Sequence, residues 1–86
     1  MATEILATAS GAGTSAEVVV SSTLTVGLKG SLDGDAQVTM EIKDDDDAFW
    51  PVDTLTINRR SLLIQAAGTY RFVRPAASSS CGVFSA

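Results

Sequence analysis

Two stretches of this chain alternate apolar and polar residues with a period of two, and that period dictates strands. Thr23-Leu24-Thr25-Val26-Gly27-Leu28-Lys29 sets Leu24, Val26 and Leu28 on one face. Ala36-Gln37-Val38-Thr39-Met40-Glu41-Ile42-Lys43 sets Ala36, Val38, Met40 and Ile42 inward and Gln37, Thr39, Glu41 and Lys43 outward. Gly30-Ser31-Leu32-Asp33-Gly34-Asp35 lies between them as a turn, with Asp-Gly as its signal. Shorter segments continue the texture: Val18-Val19-Val20, Phe49-Trp50-Pro51-Val52, Thr54-Leu55-Thr56-Ile57, Ser61-Leu62-Leu63-Ile64-Gln65 and Thr69-Tyr70-Arg71-Phe72-Val73-Arg74. Pro51 lacks an N–H donor and belongs on an edge or at a strand end. Asn58-Arg59-Arg60 and Ala66-Ala67-Gly68 read as turns, Pro75 as a stop, and Cys81-Gly82-Val83-Phe84 as a last, edge strand. The result is about seven short strands with turn signals about every 8 to 12 residues. The fold class is all-β: a small antiparallel β-sandwich, or an immunoglobulin-like or barrel-like domain. The Ile5-Leu6 region is the one place where a short helix would fit.

The sandwich is expected over residues 16–86. Residues 1–15 are rich in Ala, Thr, Ser and Gly, and Ser10-Gly11-Ala12-Gly13-Thr14 reads as a flexible N-terminal arm that orders against a neighbour or stays loose. At 86 residues the chain is one small domain, of a size that buries only about 60% of its unfolded surface. Aromatic residues are few (Phe49, Trp50, Tyr70, Phe72 and Phe84), so the core is aliphatic and small. One cysteine cannot form an internal disulfide. Small scaffolds then draw stability from oligomerisation or from docking on a partner.

Charge excludes further classes. The net charge is −4 and the pI about 4.4, which argues against nucleic-acid binding, since that needs a basic surface. No histidine is present, which removes Ser-His-Asp and Cys-His chemistry and most zinc sites. No stretch approaches the roughly 20 apolar residues of a membrane helix. Met1-Ala2-Thr3-Glu4-Ile5-Leu6 lacks the basic and long apolar regions of a signal peptide. A protein kept in the cytoplasm, or leaving it inside a larger assembly, is expected, and the lone Cys81 fits a reducing compartment. The charges are also segregated. Residues 1–53 hold all ten acids and two lysines, a net −8, while residues 54–86 hold Arg59, Arg60, Arg71 and Arg74 and no acid, a net +4. Either the halves pair within the domain, or an acidic tip and a basic patch meet between copies.

Few residues point to chemistry. Asp44-Asp45-Asp46-Asp47 reads as a solvated loop tip, with weak divalent-ion binding, joined by Asp33 and Asp35, or contact with a basic partner as the alternatives. Calcium loops alternate their acids and bend at a glycine, and this run does neither. Cys81 has no histidine to act as its base, so a structural thiol is expected. Trp50 beside Pro51 either caps the end of the core or offers a platform to a sugar or a proline. Arg71 points outward with Glu41 as its cross-strand partner. Trp50, Arg59, Arg60 and Arg74 are the interface candidates. No catalytic residue, cofactor or small-molecule substrate is expected.

Leu28-Lys29-Gly30, Leu32-Asp33-Gly34, Ala36-Gln37-Val38-Thr39-Met40-Glu41, an acidic turn, Trp50-Pro51-Val52 and Gly68-Thr69-Tyr70-Arg71 together resemble short β-sandwich structural proteins of tailed bacteriophage, over about residues 24–74. The likeness is one of texture, and it departs at the acidic turn, where Asp44–Asp47 replaces an Asp-Gly-Gly bend. It implies a non-enzymatic virion component assembled in the host cytoplasm. Capsid decoration (cement) proteins come first. Such proteins sit at junctions of major capsid protein subunits on the capsid surface, often as trimers or other homo-oligomers. A tail or head-fibre module that binds a host surface or carbohydrate through the Trp50 loop is the alternative.

Overall fold

The computed structural model describes residues 2–31 and 34–86. Leu32 and Asp33, two of the six residues of the expected Gly30–Asp35 turn, therefore lie outside the described residues. Nine strands follow in order: β1 (Thr3–Ala9), β2 (Gly13–Thr14), β3 (Val18–Val20), β4 (Leu24–Ser31), β5 (Gln37–Lys43), β6 (Phe49–Thr56), β7 (Ser61–Ile64), β8 (Gly68–Arg74) and β9 (Ser80–Ser85). All pairings are antiparallel, and the described residues contain no helix. One sheet runs β1-β9-β4-β7; the other runs β2-β8-β5-β6, with β3 also on β8. The fold is the small antiparallel β-sandwich that the period-two texture predicts.

The inward residues of the alternating segments meet between the sheets. Val26 and Leu28 from β4, Val38 and Met40 from β5, Leu55 from β6, Tyr70 and Phe72 from β8 and Val83 from β9 are buried together. Phe72 and Leu55 are the largest fully buried side chains, and with Tyr70 two rings and many aliphatic groups fill the interior. Area removed from water is worth roughly 25 cal/mol per Å², and most of the close approaches that bury it here join residues distant in sequence.

Two expectations are corrected. The flexible arm at residues 1–15 is instead largely sheet: β1 pairs with β9, and β2 pairs with β8. Local composition favoured a loose tail, but Ile5 and Leu6 pack on the core and the backbone finds a partner far along the chain. For the same reason β9 is not an edge strand. It lies between β1 and β4, where Cys81 and Val83 are fully buried. A glycine makes this possible: a Cβ at Gly82 would collide with the Leu6 carbonyl and the Thr8 amide of β1.

Irregularities concentrate at the edges. β1 shifts register twice against β9. Between β2 and β3 the chain slips by one residue relative to β8, and Ser15 bridges the slip: its N–H donates to Phe72 O and its hydroxyl accepts the Phe72 N–H. β6 carries a bulge beside Pro51.

Candidate functional site

The acidic run forms the tip of the β5–β6 hairpin, a tight turn despite the missing glycines. Asp44 organises it. One carboxylate oxygen, Oδ1, accepts the N–H groups of Asp46 (2.8 Å) and Ala48 (2.9 Å), while Oδ2 accepts the Trp50 indole N–H at 2.6 Å. These bonds stabilise the charged form, first the indole and then the Ala48 amide, so the Asp44 pKa lies below the ordinary aspartate value. Asp47 takes the left-handed conformation (φ 63°) that closes the loop, and its carboxylate lies 3.6 Å from Lys43 Nζ. Carboxylate oxygens of Asp44, Asp45 and Asp46 lie within 4.8 Å of one another. Both oxygens of Asp44 are already committed to the hairpin, and the arrangement reads as a turn. Asp35 belongs to a different cluster: it accepts bonds from Ser78 N–H and Oγ, both 2.7 Å, and from Ser79 Oγ at 2.8 Å.

The interface candidates separate. Trp50 is 59% exposed on the edge strand β6, so it does not cap the core. Arg59 and Arg60 are exposed on the turn that carries the chain from β6 to β7. Arg59 contacts Asp53 at 2.9 Å, and Arg60 Nε donates to Ile57 O at 3.1 Å. Arg74 is a correction: it is buried and offers no surface. Its Nε donates to Gly11 O (2.7 Å), and one terminal nitrogen donates to Ala7 O (2.7 Å) and Cys81 O (2.8 Å). The guanidinium fork satisfies three carbonyls around the irregular stretch of β1 and ties β1, β8 and β9 together. The signal was present in the period of two, since Tyr70, Phe72 and Arg74 fall on the same inward face.

Most of the charge segregation is absorbed within the domain. Glu41 accepts Arg71 Nε at 2.6 Å, Glu4 pairs with Lys29 at 2.6 Å, and Glu17 with Lys43 at 3.4 Å. Among the described residues, the surface charges without an ion-pair partner are Asp35, bonded only to Ser78 and Ser79, Asp44, Asp45 and Asp46 at one end of β6, and Arg60 at the other.

Residue-level reasoning missed an apolar groove along the open side of the sandwich. It lies between the edge strands β6 and β7, has a volume of about 390 Å³, and is lined by Met40, Ile42, Val52, Leu63, Ile64 and Tyr70 among others. Leu63 is 54% and Val52 50% exposed beside it. Sequence alternation marks Leu63 as outward, but only the strand order shows that its strand is an edge.

No family model matches the chain, and no curated protein matches it. Among solved structures it is similar to the crystal structure of SPBc2 prophage-derived protein YomS. The TM-score is 0.76 over 99% of this chain and 88% of that one, at 12% identity. A match this complete at so low an identity shows a shared sandwich topology.

Proposed function

We propose that this chain is a non-enzymatic bacteriophage structural protein, and specifically a capsid decoration protein that binds at junctions of major capsid protein subunits and stabilises the head. The observation that carries the reading is the whole-chain similarity to a prophage-derived protein, joined to the texture of residues 24–74. The supporting physics is that of a contact protein. Its hydrogen-bonded polar clusters each serve a turn or a strand junction, while apolar side chains line an open edge. Docking on a lattice adds stability by mass action, which suits a domain of this size. Its partners are the major capsid protein and copies of itself, as a trimer or another homo-oligomer, and its place is the outer surface of the virion.

The test is binding of the purified protein to capsids of the phage that encodes it, assembled without it. Saturable binding with increased resistance of the heads to heat or chelator supports the proposal; no binding to such capsids overturns it.

A second reading rests on Trp50. Asp44 holds its indole N–H, which fixes the ring while leaving it exposed on β6. A fixed aromatic face suits a tail or head-fibre module that stacks on carbohydrate or a host surface. Loss of host-cell binding in a folded Trp50→Ala variant distinguishes this reading from the first.

A further inference from the structure

We infer that β7 pairs with β7 of a second copy about a two-fold axis, joining two four-stranded sheets into one of eight strands. This deepens the contact with copies of itself proposed above and rests on that part of it.

The argument begins with the edges. An exposed strand edge presents unpaired N–H and C=O groups to any extended chain, and proteins guard such edges with bulges, proline, charge or shortness. Here β1 is broken by two register shifts, β2 and β3 are two and three residues long with a slip between them, and β6 has Pro51 and a bulge. β7 is short, at four residues, but has none of the other devices. It pairs with β4 in unbroken register, and Ser61-Leu62-Leu63-Ile64-Gln65 contains no charge, proline or glycine. Leu63 stands outward from it, 54% exposed. Among the described residues β7 is the least guarded edge, with no bulge, proline or charge, and such an apolar edge suits a strand that is covered in use.

The occupant follows from register and charge. Antiparallel pairing of identical strands about Leu63 sets Leu63 against Leu63 on the outer face, Leu62 against Ile64 on the inner face and Ser61 against Gln65. Each side chain keeps its own face, as a stable ladder requires. The same register sets Arg60 against Ala66, so no like charges oppose each other. Charge complementarity favours this antiparallel arrangement over a parallel one. Ala66 accepts the Tyr70 hydroxyl, and Tyr70 and Trp50 both stand opposite Ile42, so Ala66 lies at the end of the sandwich that carries Asp45 and Asp46. The two-fold therefore brings the basic turn of each copy to the acidic end of the other, twice. The apolar groove beside β7 lies along the same seam.

Sedimentation of the full chain across a concentration series tests this. A reversible dimer is expected. Leu63→Lys sets two like charges directly opposite each other and should weaken dimerisation at least about tenfold, with circular dichroism and melting temperature near the parent values because Leu63 faces solvent. Arg60→Glu should weaken it less, and adding Asp45→Lys with Asp46→Lys should restore it. A parent protein that stays monomeric to millimolar concentration, or an oligomer that Leu63→Lys leaves intact, overturns the inference. Capsid binding by a strict monomer would sink this pairing alone; a dimer that ignores capsids would sink the capsid reading alone.

Discussion

Glu41 and Arg71 stand directly opposite each other on β5 and β8, with Arg71 Nε donating to Glu41 Oε1 at 2.6 Å. The same guanidinium lies 4.0 Å from the centre of the Phe49 ring. One arginine thus links three strands across the outer face of the larger sheet. Cross-strand pairs and exposed cation–π contacts each contribute about 0.5–1 kcal/mol, and both partners here are partly solvated. Arg71→Ala should therefore lower unfolding stability by about 1–2 kcal/mol, while Glu41→Gln, which keeps the ring contact, should cost less. Urea denaturation of both variants checks this. Equal losses would show that the ring contact adds nothing.

Arg74 predicts a larger effect. Replacing it with methionine keeps the apolar stem but leaves the carbonyls of Ala7, Gly11 and Cys81 without their donor. Each unsatisfied buried polar group costs about 1–3 kcal/mol, so a loss of roughly 3 kcal/mol or more is expected. Arg74→Lys should recover only part of it, because an ammonium lacks the fork. Hydrogen exchange should rise first in β1. Uniformly faster exchange across all strands, with β1 no different from β5, would contradict this assignment.

Asp35 predicts a pH dependence. Its bonds from Ser78 and Ser79 lower its pKa to about 2. A carboxyl depressed in the folded state stabilises the fold fully above its unfolded value of about 4. That contribution disappears as pH falls towards 2. Asp35→Asn should be less stable than the parent at neutral pH and should flatten the fall in stability between about pH 4 and 2. Melting temperatures across that range are the measurement; parallel curves for the two proteins would refute the role of Asp35.

Asp44 predicts a spectroscopic signature. It holds the single tryptophan through the indole N–H. Asp44→Ala should lower the fluorescence anisotropy of Trp50 and shift its emission to the red, as the ring gains freedom and water. Asp45→Ala and Asp46→Ala, whose carboxylates make no hydrogen bond in the hairpin, should leave the spectrum unchanged.

The alternation of Thr23–Lys29, Ala36–Lys43 and Thr69–Arg74 by itself determined the sandwich and its main core residues, because a period of two leaves a strand only one apolar face to bury. It also determined the Glu41–Arg71 pairing, both being outward residues of opposite charge. The same rule carries Arg74 inward, and a net charge count cannot show that. Tertiary structure decided the rest. Residues 3–9 become a strand only because β9, more than seventy positions away, offers them a ladder. The acidic turn closes because one carboxylate turns back to gather two amides and an indole. Which edges stay open depends on strand order and on bulges, and these follow from non-local pairing that no local pattern encodes. Among the described residues the charge thereby resolves into internal pairs, a serine-bound Asp35, a buried Arg74, and an acidic hairpin tip and a basic turn at opposite ends of the same edge strand.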